Sequence, residues 1–407
     1  MNKIKSLLFV IFFLISFILI KFIFFPILFI YTFFILKKTH SAKSVIFIEN
    51  FPIENAGYYY RAEAWVKRLK IDGYLAKTIT LIDDKKTWDY YVIYHFNFFL
   101  IYTLWKRTFQ LFEVLKFDVI IVRRELLFFN EYGDLFLEKF LMKVHPNVIL
   151  DIDDDLGAAK EEPRRIVNLF GKLLFETGNK FNDSLLLYSK FIVGSDYLKS
   201  LVLNKNPKAN IMILPTCVEY QEEDKSDFYL KDNQSPFVFG WTGISGNLHL
   251  LDFLIPIFNK FSEKYSFKLL IISGQVYNPT TTPKFEIVNI PWSLSDDIKN
   301  ISKIDIGLMP LIDTISNRGK CGFKLIQYMS LGIPSIGQSI TVNLDIIPNE
   351  KYGWLVKSEL DWEEAIFEIL NSPRENLKTI GANASVHINK KYSFDANYNE
   401  LKNYLAH

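Results

Sequence analysis

The segment NRGKCGFKLIQYMSLGIPSI, Asn317 to Ile336, is a loop with two glycines and two cations that leads into a helical stretch. Arg318 and Lys320 lie in the loop and Lys324 at the start of the helix. Three cations beside a helix N-terminus can converge on a diphosphate, because the first turn adds N–H groups and a partial positive charge. Lys324 shares a helix face with Gln327 and Tyr328, while Leu325, Tyr328 and Met329 can serve a core. Gly332 stops the helix and Pro334 opens a new strand. The same residues would suit a solvated basic loop, since clustered charges usually face water. Upstream, GWTGISGN puts Gly240, Gly243 and Gly246 between a strand and a helix. Glycines there let backbone approach a phosphate. Their spacing of three is not strict GxGxxG, and a tight turn with no ligand would read the same.

A second set of candidates lies in the first half of the chain. Gly57, in ENAGYYYRAEAW, follows the first strand, where backbone can approach a ligand, and Arg61 sits on the helix behind it. Arg123 and Arg124 end the strand VIIVRR, at the strand end where ligands enter open α/β sheets. A guanidinium there suits a phosphate or a sugar carboxylate; two surface arginines are the plainer alternative. DIDDD supplies Asp151, Asp153, Asp154 and Asp155. Asp153 and Asp154 read as acceptor-side or structural residues, with a divalent-cation D-x-D as the competing reading. Carboxylates so crowded raise some of each other's pKa values, which would let one act as a base. His95 lies in an aromatic run without a catalytic pattern and reads as structural.

These side chains need strands to carry them. SVIFIEN, YLAKTITLI, FDVIIVRREL, NVILDIDDDL, SKFIVGS and ANIMILPT are short apolar strands, most followed by helical stretches. That alternation predicts a parallel sheet covered on both faces. The pattern restarts at Phe237 with FVFGWTGISGN, then FKLLIISGQ, FEIVNIPW and DIGLMPL. Two successive Rossmann-like units are expected, facing across a cleft, with ligands at the strand C-termini. The predicted division is 1–43 membrane anchor, 44–217 first domain, 218–236 polar linker, 237–385 second domain and 386–407 C-terminal helix.

The net charge of +2 over 407 residues implies no electrostatic pull toward nucleic acid. Cys217 and Cys321 match no disulfide framework or metal pattern. Ser6 to Leu36 is a run of 31 residues interrupted only by Lys21 and Pro26. It exceeds the roughly 20 that one span needs and the apolar core of about 7–15 residues of a cleavable signal peptide. Two readings stand: one tilted helix with Lys21 snorkelling, or a re-entrant hairpin bent near Lys21 and Pro26. Lys3 and Lys5 precede the run, and Lys37, Lys38 and Lys43 follow it. That balance favours a cytoplasmic position for the C-terminal part, at the cell inner membrane. Asn97–Phe117 mixes aromatics with Lys106, Arg107 and Lys116; it either rests on anionic headgroups or is a buried helix of the first domain.

IDIGLMPL, then GKCGFKLIQYMSLGIPSI, then YGWLV with DWEEAIFEIL, resembles the C-terminal half of the GT-B retaining glycosyltransferases that build bacterial surface polysaccharides. FGWTGISGNLHLL resembles the opening of the same domain. The resemblance implies a nucleotide-sugar donor held by the second domain, and a lipid-linked or saccharide acceptor held by the first, near Gly57, Arg61, Arg123, Asp153 and Asp154. Lys320 and Lys324 would stabilise the leaving diphosphate, with Arg318 helping and Gly243 and Gly246 giving backbone approach. Trp292 would line the base, with a core tryptophan as the plainer alternative. The family often has two glutamates eight apart, which fall here on Gly319 and Gln327. Glutamine can still bond ribose hydroxyls; glycine cannot replace the first. GT-B enzymes rely on cationic side chains and helix dipoles, so neither metal nor cofactor is expected. A non-catalytic nucleotide-sugar-binding or scaffold protein is the main alternative. A nucleotide-sugar epimerase is a weaker one, as it would not need an anchor.

Overall fold

A computed structural model describes residues 2–35, 43–87, 96–128, 135–158, 179–219, 229 and 235–406. The chain divides into two compact units, Met1–Leu214 and Pro215–His407. His95 and most of the 218–236 segment lie outside the described residues.

The first unit holds a wholly parallel sheet of six strands: β1 (Ser44–Glu49), β2 (Leu75–Thr80), β3 (Val119–Arg123), β4 (Val148–Ile152), β5 (Lys190–Val193) and β6 (Asn210–Ile213). Their order is β2-β1-β3-β4-β5-β6. Every residue of β1, β3 and β4 is buried, as the Val/Ile runs of a sheet covered on both faces require. The winding reverses between β1 and β3. The C-terminal ends of those two strands therefore flank a topological switch point, where open α/β sheets take their ligands.

The N-terminal run is one continuous helical segment. Helix α1 (Asn2–Leu19) passes through a wider π turn (Ile20–Phe24) into α2 (Phe25–Ile35). The chain does not turn back at Lys21 or Pro26, so the hairpin expectation fails, and the π turn supplies the reason. The Phe25 N–H reaches back five residues to the Ile20 carbonyl, and Pro26 follows with no N–H to give. The part from Ile11 to Phe34 is long and apolar enough to cross a membrane. Its inner face packs on the first unit, where Phe9, Ile20 and Leu28 join the main core.

Two more helices receive it. Helix α3 (Ala64–Ile71) lies elsewhere, after β1, whereas α4 (Phe96–Val114) and α5 (Phe136–Val144) meet the N-terminal segment. The Trp105 indole N–H donates to Ser16 Oγ at 2.9 Å, and Phe25 stacks on Phe140 at 4.2 Å. Helix α4 has a core side, with Leu100, Leu104, Arg107 and Leu111 fully buried. Its other side leaves Tyr102 and Phe109 exposed. The expectation of a buried helix thus holds for its core side.

The second unit repeats the plan with β7 (Phe237–Gly243), β8 (Phe267–Ser273), β9 (Glu286–Pro291), β10 (Ile306–Met309), β11 (Ser335–Gln338) and β12 (Trp354–Val356). The order is β12-β11-β10-β7-β8-β9, again all parallel. Its switch point lies between β7 and β10. The helices that matter below are α6 (Leu254–Phe261), α7 (Asp297–Ile301) and α8 (Phe323–Ser330). They are followed by α9 (Glu359–Asn371), α10 (Arg374–Tyr392) and α11 (Phe394–Ala406). The C-terminal helical stretch starts after Pro373 and breaks at Ser393, an extended residue whose hydroxyl accepts from the Ala396 N–H. Val218 bridges to Ser393 and ties the start of this unit to its end.

Candidate functional site

Each switch point carries one of the two residue sets picked out above. In the second unit, Gly322 begins α8 with φ +67°, and a side chain there would collide with Ile346. Two turns of helix then place Lys324 and Tyr328 over the end of β7. The Tyr328 hydroxyl accepts from the Thr242 N–H at 2.8 Å. A Cβ on Gly243 would stand 2.8 Å from Lys324 Cε and 2.7 Å from the Trp241 ring. Lys324 Nζ lies 5.5 Å from that ring's centroid. The glycine at 243 thus leaves room for the Lys324 stem and the Trp241 ring to pack against the strand end. Gly246 differs, since a side chain there would meet nothing. Its backbone lies in the 3-10 turn Ser245–Leu251.

Lys320 is half-buried between a short helix (Ile315–Arg318) and α8, and among the described residues its ammonium has no ion-pair partner. Arg318 is exposed and paired with Asp313 at 2.6 Å. That pair holds the Asp313 carboxyl below the usual range. Any anion recruiting Arg318 must therefore compete with Asp313. Gly319 is buried at the end of the short helix.

Gln327 and Trp292 meet at a residue the sequence reading passed over. Asp297, the first residue of α7, is only 3% exposed. It accepts from the Trp292 indole N–H at 2.9 Å and from the Gln327 amide at 2.8 Å. One N–H of the Gln327 amide is therefore committed within the protein, to Asp297. The only sequence signal for Asp297 was an acid pair, Asp296-Asp297, following the Pro-Trp corner.

In the first unit, Gly57 sits in the first turn of a helix rather than in a loop, because the Asn55 side chain accepts from its N–H and caps the turn. A Cβ there would collide with the Arg123 guanidinium. Arg123 donates to Glu49 at 3.0 Å and to Asp153 at 2.6 Å. Arg124, at φ +64°, reaches Asp153 at 2.5 Å and also Asp154. Arg61 clasps Asp151 with two nitrogens and gives a third bond to the Leu214 carbonyl at 2.6 Å. Arg61 and Arg123 were expected to offer charge to a ligand. Instead both are buried, at 2% and 6% exposure, with carboxylates already against them. They shape the floor of this switch point; Arg124 and Asp154 form its more open rim. The aspartates of DIDDD face arginines in the same way, and Asp155 caps its own turn through the Gly157 and Ala158 N–H groups. Among the described residues no His/Cys/Asp/Glu group is arranged to hold a metal ion.

Glu49 was also missed; its one signal is an acid ending an otherwise apolar strand. Burial pushes its carboxyl up to about 7 against the pull of Arg123. One of its oxygens is bonded to Arg123, and the other is buried without a partner among the described residues. Burial also opposes ionisation of Asp153, but Arg123 and Arg124 overcome it and hold that carboxyl well below the usual range. The signs are opposite. The Glu49 contribution to stability is complete below its ordinary value of 4.5 and is lost as pH rises through about 7. The Asp153 contribution is present at neutral pH and lost in acid. Thermal melts between pH 5 and pH 8 should show the wild type losing on the order of 3 kcal/mol through Glu49. Glu49→Gln should flatten that slope, and an unchanged slope would mean that Glu49 is ionised throughout.

No protein-family model matches the chain, and no curated protein matches it in sequence. Solved structures do match in shape. A sucrose-phosphate synthase from Thermosynechococcus elongatus superposes with TM-score 0.63 at 12% identity, over 89% of this chain and 98% of that one. A glycosyltransferase from Rickettsia africae gives 0.58 at 15% identity, over 90% and 98%. Anabaena HepE in complex with UDP-glucose gives 0.60 at 9% identity, over 89% and 99%. The fold is GT-B. In GT-B order, the acid–arginine network belongs to the first Rossmann-like unit, and the Gly243–Lys324 cradle to the second.

Proposed function

We propose that this GT-B chain is a membrane-attached glycosyltransferase. It moves a sugar from a nucleotide-sugar donor to a saccharide acceptor, lipid-linked, in cell-surface polysaccharide synthesis. It works at the inner membrane with both units on the cytoplasmic side. The observation that carries this reading is the cradle in which Lys324 lies against Gly243 at the switch point between β7 and β10. A diphosphate lying there would meet backbone from one side and an ammonium from the other. Lys324, with Lys320 on the adjoining loop, would offset the charge that builds on the leaving diphosphate. Retention follows if that diphosphate itself takes the acceptor proton during same-face attack. Trp292 and Gln327, both anchored on Asp297, would border the nucleoside.

The alternative, a non-catalytic binding or scaffold protein, is favoured by one observation: the first glutamate position of the family is Gly319, which offers no side chain to the sugar. The two part in one assay, release of nucleoside diphosphate from a panel of nucleotide sugars with membrane extract as acceptor. Turnover of one donor is the expected result. Nucleotide binding without any turnover would sink the enzyme reading and leave the binding protein.

A further inference from the structure

The N-terminal helix is held flush against the first unit along most of its length. Phe17 packs edge-on against Phe136 at 4.9 Å, and Phe24 against Phe109 at 5.0 Å. Trp105 bonds Ser16, Phe25 stacks on Phe140 and Tyr31 meets Phe112 at 5.0 Å. From Phe9 to Tyr31 this seam runs about 33 Å at the helical rise per residue. A bilayer's hydrocarbon is about 30 Å thick. Were the docked helix to cross it, α4 and α5 would be carried to the same depth. They bring charge with them: Glu113 pairs with Lys77 and Lys106 with Asp83, all but Lys106 well exposed to solvent. Crossing would also put Lys21, which sits over the Phe17 ring at 4.3 Å, near mid-membrane.

The outward face is unlike any other surface described. Ile11, Phe12, Ile15, Phe22, Ile30, Phe33 and Phe34 are all more than 40% exposed. Beside it lies an apolar groove of about 840 Å³, lined by Tyr102, Trp105, Phe109 and Phe112 and edged by Lys106 and Lys116. Lysines stand in the sequence on both sides of the helix: Lys3 and Lys5 before it, Lys37, Lys38 and Lys43 after it. A spanning helix would spread such cations over both leaflets, whereas a helix lying flat presents both clusters to one anionic surface.

We propose that the helix does not cross the membrane but lies in its plane. The Phe/Ile face enters the acyl boundary of one leaflet, and the groove on α4, edged by Lys106 and Lys116, takes acyl chain. The first unit is then pressed against the membrane surface rather than tethered to it. This inference is independent of the reaction.

The test uses the full chain in native membranes of an expressing bacterium, with Cys217 and Cys321 replaced by serine. Single cysteines at Asn2→Cys and Lys43→Cys are exposed to a membrane-impermeant maleimide in inverted and right-side-out vesicles. Both positions should label in inverted vesicles and neither in right-side-out ones. Labelling on opposite sides overturns the proposal. Fluorophores at Ile15→Cys, Phe22→Cys and Phe33→Cys, quenched by nitroxide lipids, should report one shallow depth. A deep Phe22 position would mean that the helix enters the bilayer core. Recovery of the chain in the soluble fraction without detergent would show that lipid is not the occupant.

Discussion

Replacing Lys324 with alanine is expected to lower nucleoside diphosphate release by roughly 10²–10³-fold, the scale for removing one preorganised donor from a developing negative charge. The thermal melt should stay near that of the wild type. The side chain leans on the Trp241 face, a contact worth only about 0.5–1 kcal/mol at a half-exposed site. The loss should fall on kcat and on kcat/KM, because charge accumulates on the diphosphate only as the sugar leaves. Lys324→Arg keeps the charge but brings a wide planar group to a place built around a narrow ammonium stem. It should recover only part of the rate. Unchanged kinetics in Lys324→Ala would remove the cradle from the reaction and refer the chemistry to another cation, with Lys320 next.

The architecture was legible because central strands such as β1, β3 and β4 are short Val/Ile-rich runs buried on both faces, and such runs stand out in sequence. β3 ends at the first arginine of VIIVRR, and β11 opens just after Pro334. The Gly243–Lys324 cradle was half legible: the residue types announced an anion, but their meeting depends on the 80 intervening positions folding correctly. The acid–arginine network was read as separate pieces. Arg61 and Asp151 are 90 residues apart, and no local pattern says that their charges cancel. Hence arginines that read as ligand contacts are buried braces. Asp297 and Glu49 were invisible for a related reason. A single acid at an element's end looks like surface until the tertiary structure covers it. The N-terminal run announced lipid by composition alone, but its posture depends on aromatic contacts with α4 and α5.

Asp297 also explains why position 327 is neutral, and the explanation makes a strong prediction. The resemblance read from the sequence would put a glutamate at 327. Here the site already holds a carboxylate that accepts from two neighbours, and Gln327 is one of them. A glutamate would place an acceptor against an acceptor, in a spot where residue 327 is only 8% exposed. Two carboxyls so placed cannot both ionise without a large penalty. Gln327→Glu should therefore cost about 3 kcal/mol at pH 8, the scale for an uncompensated buried charge. The cost should shrink in acid, where the pair can share a proton. Gln327→Glu combined with Asp297→Asn restores one acid and one amide in exchanged positions, and most of the loss should return. Melts of the wild type, both single variants and the double variant give the coupling directly. Additive losses, or a Gln327→Glu protein as stable as the wild type at pH 8, would sink the argument. If nucleotide affinity also stays within a few-fold in the double variant, the place needs one acid and accepts it on either α7 or α8.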